Sequence, residues 1–145
     1  MQKWKFQQFL NLNSEDTAST RACLEYKCNG NADVLSKLSV MQWNKLQQIN
    51  IAGNYIDDNF LPYLIRTYID RWGSELEVLD LSFNQFTDSG INMLLLACQN
   101  SSFSKIKTIF VQGNQKLQSE THKLVQTLYP APVDPSFGAS SPKVW

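Results

Sequence analysis

The segment LEVLDLSFNQFTDSG, residues 76–90, has leucine at its first, fourth and sixth positions, asparagine at its ninth and phenylalanine at its eleventh. Thirty residues earlier, the same positions hold Leu46, Ile49, Ile51, Asn54 and Ile56. Thirty residues later, the first, fourth, sixth and ninth positions hold Ile106, Ile109, Val111 and Asn114. Repetition at one fixed period indicates that each copy is one structural unit, with units beginning near residues 46, 76 and 106.

Each copy predicts a short strand followed by a turn and a helix. Side chains alternate between the two faces of a strand, so the aliphatic residues point into a core and the residues between them point away from it. Apolar residues then follow at the i, i+3, i+4, i+7 spacing of a helix face. They are Leu61, Leu64, Ile65 and Tyr68, then Ile91, Leu94, Leu95 and Cys98, then Thr121, Leu124, Val125 and Leu128. We expect an α/β solenoid, a short arc with parallel strands on its concave side and helices on its convex side.

Polar residues recur at the ends of the predicted strands and at the starts of the predicted helices. Asn54, Asn84 and Asn114 come where the chain leaves each strand, and an amide there can both donate to and accept from backbone groups of the turn. We expect a ladder of hydrogen bonds through these asparagines, the alternative being a ligand or catalytic role. Asp58 and Asp88 are expected to cap helices, because a carboxylate accepts backbone N–H bonds at a helix start.

A degenerate fourth copy is expected ahead of the three clear ones. Residues 23–31 read Cys23-x-x-Tyr26-x-Cys28-x-x-Asn31, which has the same spacing with cysteine and tyrosine at the aliphatic positions. The chain then divides into a capping segment (1–22), the repeat arc (23–128) and a tail (129–145). The aromatic residues of the first segment either cover the first strand or insert into a partner.

The tail is expected to be extended, because it contains four of the five prolines. Its apolar side chains, among them Phe137 and Trp145, are expected either to dock on a neighbouring protein or to pack against the last repeat of the arc.

Composition argues against several classes of function. Thirteen basic residues balance thirteen acidic ones, so we expect no nucleic-acid partner. No run of about 18 apolar residues predicts a membrane span, and no secretory signal is evident. Two lysines and no acid precede Glu15, a weak feature of a mitochondrial presequence, so a cytoplasmic and a mitochondrial location both stay open.

Chemistry-bearing motifs are also lacking. The three cysteines have the spacing of neither a disulfide framework nor a metal site, and Cys23 and Cys28 are expected in the core. His122, the single histidine, is expected on the surface. Motifs for nucleophilic, nucleotide or zinc chemistry do not occur. We therefore expect no enzymatic activity, cofactor, metal or small-molecule substrate.

The residues between the inward aliphatic positions predict a binding surface on the concave face. An apolar centre with a polar rim is the usual composition of a protein-binding patch. The expected centre is Val78, Phe83 and Phe110, and the expected rim is Glu77, Asp80 and Lys107. The alternative is that the chain's own tail covers this centre. Phe60 and Tyr63, on the outer side of the first long helix, form a second candidate.

Residues 46–128 resemble leucine-rich repeats, in particular the ribonuclease-inhibitor-like type with a full helix in each repeat. The resemblance implies a protein-binding arc. Three further segments, Tyr55–Asp58, Phe86–Ile91 and Leu124–Gln126 ahead of Pro130, resemble the segment order of the mitochondrial ATP synthase coupling factor B family and related respiratory-complex assembly proteins. That second resemblance implies a complex-associated subunit.

Three non-catalytic functions are compatible with such an arc. They are a structural or assembly subunit of a larger complex, an adaptor between two partners, and an inhibitor that fills the cleft of an enzyme through the concave face. We expect the first, because an adaptor needs a second module and an inhibitor a longer, strongly charged arc. Other protein subunits are then the expected partners.

Overall fold

The computed structural model describes residues 21–39, 46–67, 75–100 and 105–132, which form four units of strand, turn and helix. The strands are β1 (Arg21–Cys23), β2 (Gln48–Asn50), β3 (Val78–Asp80) and β4 (Thr108–Phe110). The helices are α1 (Asn31–Ser39), α2 (Leu61–Thr67), α3 (Asp88–Asn100) and α4 (Ser119–Leu128). A 3₁₀ turn (Asp58–Phe60) leads into α2.

The strands form one parallel sheet in the order β1-β2-β3-β4. Ile49 lies beside Leu79, and Leu79 lies beside Ile109, so the matching positions of the repeats are neighbours in space. On the other layer, α2 contacts α3 and α3 contacts α4. This architecture confirms the predicted α/β arc and its thirty-residue period.

The core lies between the sheet and the helices. Its largest fully buried side chains include Phe60 and Phe86, together with the aliphatic residues of the repeat pattern. Each leucine-sized side chain buried there contributes about 1.5–3 kcal/mol. Cys28 and Cys98 belong to the same core, as was expected for Cys28, whereas Cys23 is half-buried. Burial raises the pKa of the Cys28 and Cys98 thiols from 9.0 to about 11.

The first unit exists, but the register predicted for it is wrong by four residues. Ala22, and not Tyr26, pairs with Ile49, and the N–H of Leu24 donates to β2 at the position expected for Cys28. Ala22 and Leu24 are buried, while the side chain of Tyr26 is 60% exposed. Because β1 begins at Arg21, the arc begins inside the segment predicted as a cap. Residues 1–20 lie outside the described part of the chain.

Asn31 is therefore not part of the asparagine ladder. It begins α1, where its Nδ2 donates to Asp57 Oδ1 at 2.8 Å and its Oδ1 accepts from the Asp57 N–H at 3.1 Å. This reciprocal pair joins the first helix to the turn of the next unit.

The predicted ladder through the other three asparagines is confirmed. Asn84 Oδ1 accepts from the N–H groups of Asn54 and Ile56, and its Nδ2 donates to the carbonyls of Ile51, Leu81 and Ser82, all at 2.8–3.2 Å. Asn54 bonds to the first unit in the same way, and Asn114 bonds to the third. Each amide thus joins its own turn to the turn before it.

Asp58 and Asp88 form a second connection between repeats, which differs from the expected capping of their own helices. Asp58 accepts from the N–H of Thr87 at 2.8 Å and from its hydroxyl, and Asp88 accepts from the N–H of Gln118 at 3.1 Å. Sequence spacing shows which residue begins a helix, but not that its carboxylate bonds to the next helix start. The 3₁₀ turn is capped instead by Asp57.

The helix α4 is less buried than its sequence pattern predicts. Val125 is fully buried, but Leu124 is 44% exposed, although the matching Leu64 and Leu94 are almost fully buried. Leu128 is also exposed, whereas the matching Cys98 is buried. The helices α2 and α3 are each followed by another helix, and α4 is the last helix of the described chain. The helical spacing was correct, but the burial of Leu124 and Leu128 was not.

The first residues of the predicted tail lie along the outer edge of β4. The carbonyl of Tyr129 accepts from the N–H of Ile109 at 3.3 Å, and the carbonyl of Pro130 accepts from Thr108 Oγ1 at 2.8 Å. This part of the tail packs against the arc's own last repeat. Residues 133–145 lie outside the described part of the chain.

Replacing Asn84 with alanine is expected to lower the free energy of unfolding by about 3–4 kcal/mol, because five hydrogen bonds to buried backbone groups are lost. Urea denaturation measures the change. Asn100→Ala, at the exposed end of α3, is the matched control and should change stability by less than about 0.5 kcal/mol. Similar losses in the two variants would contradict the ladder.

Replacing Gly90 with alanine is expected to destabilise the chain by about 1–3 kcal/mol, because the added Cβ would collide with the Asp58 carboxyl group. The same change at an open helical site usually stabilises, by up to about 1 kcal/mol. In an Asp58→Ala background the two closest contacts, with the carboxyl atoms, are removed and only the Cβ of residue 58 remains, at 3.0 Å, so Gly90→Ala should then cost much less. Additive effects in this double-mutant cycle would contradict the contact.

The thiols of Cys28 and Cys98 are expected to react with iodoacetamide at neutral pH at least about a hundredfold more slowly in the native state than in the denatured state, because burial keeps them protonated and covered. Since the native pKa values of these thiols lie above their ordinary value of 9.0 in the unfolded chain, the contribution of the thiols to stability is present at neutral pH and is lost as pH rises from 9.0 to about 11. Digestion and mass spectrometry measure each rate, and equal rates in both states would contradict this burial.

Candidate protein-binding surface

The concave patch predicted from the sequence is not exposed as a whole. Phe110 is only 6% exposed, and Asp80, which is its register partner, is fully buried. Asp80 Oδ1 accepts from the Ser82 N–H at 3.0 Å and from the Ser82 hydroxyl at 2.6 Å, which ties it to its own turn. The expected exposure of Phe110 and Asp80 is therefore wrong, while Val78 is half-buried. Phe110 lines a cleft beside Tyr129 and Pro130, a tertiary contact that the repeat pattern does not show.

The expected charged rim is present at the start of β3 and β4. Lys107 Nζ lies 3.3 Å from Glu77 Oε1, and Lys105 Nζ lies 2.7 Å from Glu75 Oε2, so both ion pairs join adjacent repeats. Such exposed pairs contribute about 0–1 kcal/mol each. Glu77 and Lys107 thus lie together as expected, and their role in binding a partner stays a prediction.

Phe83 is the exposed member of the predicted patch, at 49% exposure, and it lies just beyond the carboxyl end of β3. Its φ is +56°, a left-handed conformation that is uncommon for a large side chain. The matching positions are Tyr26 in the first unit, with φ +57°, and two glycines, Gly53 with φ +69° and Gly113 with φ +79°. Aromatic residues and glycines therefore alternate at one position of successive repeats.

The alternation has a steric basis. A Cβ built on Gly53 would collide with the ring of Tyr26, and one built on Gly113 would collide with the ring of Phe83. Each ring thus lies over the glycine of the next repeat. From the sequence, Tyr26 was not assigned to this position, because the register predicted for the first unit was wrong by four residues.

A third exposed aromatic residue, Tyr55, lies two positions beyond the Gly53 turn and is also left-handed, with φ +58° and 66% exposure. Tyr55 and Phe83 line a groove of about 560 Å³ together with Gly113, Gln115 and Lys116. We name the surface formed by Tyr26, Tyr55 and Phe83 the aromatic edge. The sequence signal that was available for Phe83 is an aromatic residue at a position where the neighbouring repeats have glycine, Gly53 and Gly113.

The chemistry of the aromatic edge is that of a contact surface. Its groove is lined by two aromatic rings, by amides and by one lysine, and no carboxylate is among the lining residues. Within the described ranges, no group of three or more histidine, cysteine or acidic residues is placed to hold a metal ion. In the same ranges, no helix is long and apolar enough to cross a membrane.

Three other sequence expectations have different outcomes. Phe60 is fully buried, so the second candidate patch is wrong for that residue, while Tyr63 is exposed. His122 is half-buried and lines the cleft beside Tyr129, which corrects its expected place in open solvent. Phe137 and Trp145 lie outside the described residues.

Comparison with known proteins agrees with this architecture. A family model described as Leucine Rich Repeat matches residues 75–97. No curated protein matches the chain. Among solved structures, the chain is similar to "Leiomodin-1 Actin-Binding Site 2 (ABS2)", with a TM-score of 0.63 and 14% sequence identity over 84% of this chain and 70% of the other. The chain folds as a short leucine-rich-repeat arc.

Proposed function

We propose that this arc is a non-catalytic structural or assembly subunit of a multiprotein complex and that it contacts its partner through the aromatic edge. The observation that carries the proposal is the set of three exposed aromatic side chains at left-handed backbone positions, two of which, Tyr55 and Phe83, line one groove. A leucine-rich-repeat arc generally presents a surface to another protein, so a protein is the class of partner that the fold supports.

The energetics of the aromatic edge favour binding. A non-glycine residue in the left-handed region costs about 1–3 kcal/mol, and such strain concentrates at functional sites. Aromatic residues are also enriched among the few residues that dominate the affinity of an interface. Because Phe83 already lies over Gly113, its ring has little conformational freedom to lose on association.

The similar solved structure is named as an actin-binding site, which supports a protein as the class of partner for an arc of this size. At 14% identity the likeness concerns the fold, so actin itself is not transferred to this chain. A finer assignment to the ribonuclease-inhibitor-like type, and to an assembly of the ATP synthase or respiratory-complex kind, is part of the proposal and rests on the sequence resemblances alone.

The compartment is also part of the proposal. The buried cysteines Cys28 and Cys98 keep their thiols and form no disulfide, which favours a reducing compartment such as the cytoplasm or the mitochondrial matrix. The alternative function, an adaptor or inhibitor acting through the concave face, has less support because Phe110 and Asp80 are buried there.

Changing either Tyr55 or Phe83 to alanine is expected to weaken association with the partner roughly thirtyfold. This change in affinity corresponds to a loss of about 2 kcal/mol, which is typical of an aromatic residue that dominates an interface. The tagged full-length chain is isolated from its native cells, and the stoichiometric partner is quantified by size-exclusion chromatography and mass spectrometry. Tyr63→Ala is the matched control, since Tyr63 is a similarly exposed tyrosine on α2 that does not line the groove.

The unfolding transitions of all three variants are measured in parallel, so that a loss of binding is separated from a loss of folding. Recovery of the unaltered chain as a monomer without a stoichiometric partner would contradict the proposal. Equal partner yields for Tyr55→Ala, Phe83→Ala and Tyr63→Ala would contradict the assignment of the aromatic edge.

A further inference from the structure

The three interfaces between neighbouring strands use the same pair of backbone donors. In the second unit, the N–H of Ile51 donates to the Asp80 carbonyl and the N–H of Gly53 donates to the Ser82 carbonyl, both at 3.0 Å. The first and third units repeat the pattern. Their bonds run from Leu24 to Asn50, Tyr26 to Ala52, Leu81 to Phe110 and Phe83 to Gln112, at 2.8–2.9 Å.

In the last unit, the matching donors are the N–H groups of Val111 and Gly113. No residue in the described ranges accepts a hydrogen bond from either of them. One register earlier, the N–H of Ile109 donates to the Tyr129 carbonyl. The carbonyl of Tyr129 therefore takes the place of a neighbouring strand's carbonyl at Ile109, the first donor of this edge. It does not accept from the next two donors, the N–H groups of Val111 and Gly113.

A cleft of about 350 Å³ lies beside these donors. It is lined by Phe110 of β4 and Val111 directly after it, by His122 and Gln126 of α4, and by the segment 129–131 that follows α4, so Val111 is the donor that borders it. In the second unit, the carbonyl that accepts from the N–H of Ile51 belongs to Asp80, and the next residue, Leu81, is buried in the same core as Ile51. The end of the arc thus offers both hydrogen-bond donors and space for an aliphatic side chain.

We propose that the outer edge of β4 binds an extended segment of another polypeptide as a fifth parallel strand. The interfaces between neighbouring units define the chemistry of that segment, because Val111 and Gly113 occupy the positions that donate to the next unit elsewhere in the arc. It supplies two backbone carbonyls two residues apart, as Asp80 and Ser82 do, and an aliphatic side chain between them, as Leu81 does. Strand addition of this kind takes its affinity from main-chain hydrogen bonds and its specificity from alternate side chains.

This site meets the groove lined by Tyr55 and Phe83 only at Gly113, and it rests on the proposed function only in that the partner is a protein. The segment 129–131 occupies the edge beside Thr108 and Ile109, so a whole additional repeat does not fit without displacing it. A single extended strand that begins beside Val111 is compatible with that segment.

The test uses the full chain labelled with ¹⁵N and a synthetic peptide of residues Asp80–Phe86, acetylated at one end and amidated at the other, so that it begins beside Val111 and does not overlap the segment 129–131. This peptide contains the two carbonyls that accept from Ile51 and Gly53 inside the arc. Saturating peptide is expected to shift the amide resonances of Val111 and Gly113 and to slow their hydrogen exchange at least tenfold. A peptide with Leu81→Asp should bind at least tenfold more weakly.

A matched pair of variants tests the cleft. Gln126→Trp is expected to fill it and to weaken peptide binding at least tenfold, whereas Thr127→Trp, at an exposed neighbouring position that does not line the cleft, should leave binding unchanged. Thermal unfolding checks that both variants remain folded.

Other occupants of the edge would appear in the same experiment. Slow exchange at Val111 and Gly113 in the dilute free chain would mean that the chain's own residues occupy the site, and slowing that increases with protein concentration would mean a second copy. Either result, or the absence of peptide-induced shifts, would overturn the proposal. Partner recovery by the Tyr55→Ala and Phe83→Ala variants reports on the aromatic edge, whereas peptide titration of the Gln126→Trp and Thr127→Trp pair reports on β4, so failure at the aromatic edge and failure at β4 are distinguishable.

Discussion

The hydrogen bonds of the buried asparagine amides are the constraint on which the rest of the arc depends. Each strand contains only three residues, so the chain turns away from the sheet almost at once and leaves backbone N–H and C=O groups inside the protein. Buried groups of this kind must be paired. The amide of Asn84 pairs with five of them, from two successive turns, and so fixes how closely those turns stack.

That stacking determines what the turns present to solvent. Because each turn repeats the conformation of the one before, a left-handed residue recurs at one position, where glycine costs least and an aromatic residue must be held by its surroundings. Tyr26 and Phe83 are held over the glycines of the following repeats. The aromatic edge is therefore a direct product of the same periodicity that builds the core, and its rings are positioned by backbone geometry rather than by flexible side-chain packing.

The sequence predicted those features that recur in every unit. The aliphatic register of the three clear repeats and the asparagine ladder both follow from a single period. The first unit was misplaced because Cys23, Tyr26, Cys28 and Asn31 match the spacing by coincidence, while the true inward residues, Ala22 and Leu24, occupy a shorter unit. The burial of Phe110 was missed because side-chain alternation assigned it to the exposed face of the strand, whereas Asn50 and Asp80, at the same strand position in the two preceding units, are buried as well.

In a stack of identical units, the backbone N–H groups that follow each strand donate to carbonyls of the next unit. The last unit has no next unit of the same kind, so its N–H groups need other acceptors. The carbonyl of Tyr129 meets the first of these donors at the end of the arc, and Val111 and Gly113 are the next two. Gly113 also lies beneath the ring of Phe83 and lines the groove that contains Tyr55. The open end of the sheet and the aromatic edge therefore meet at one residue. A partner that adds a strand to β4 would fix the backbone on which Phe83 rests, so the two surfaces can serve a single protein and favour its binding together.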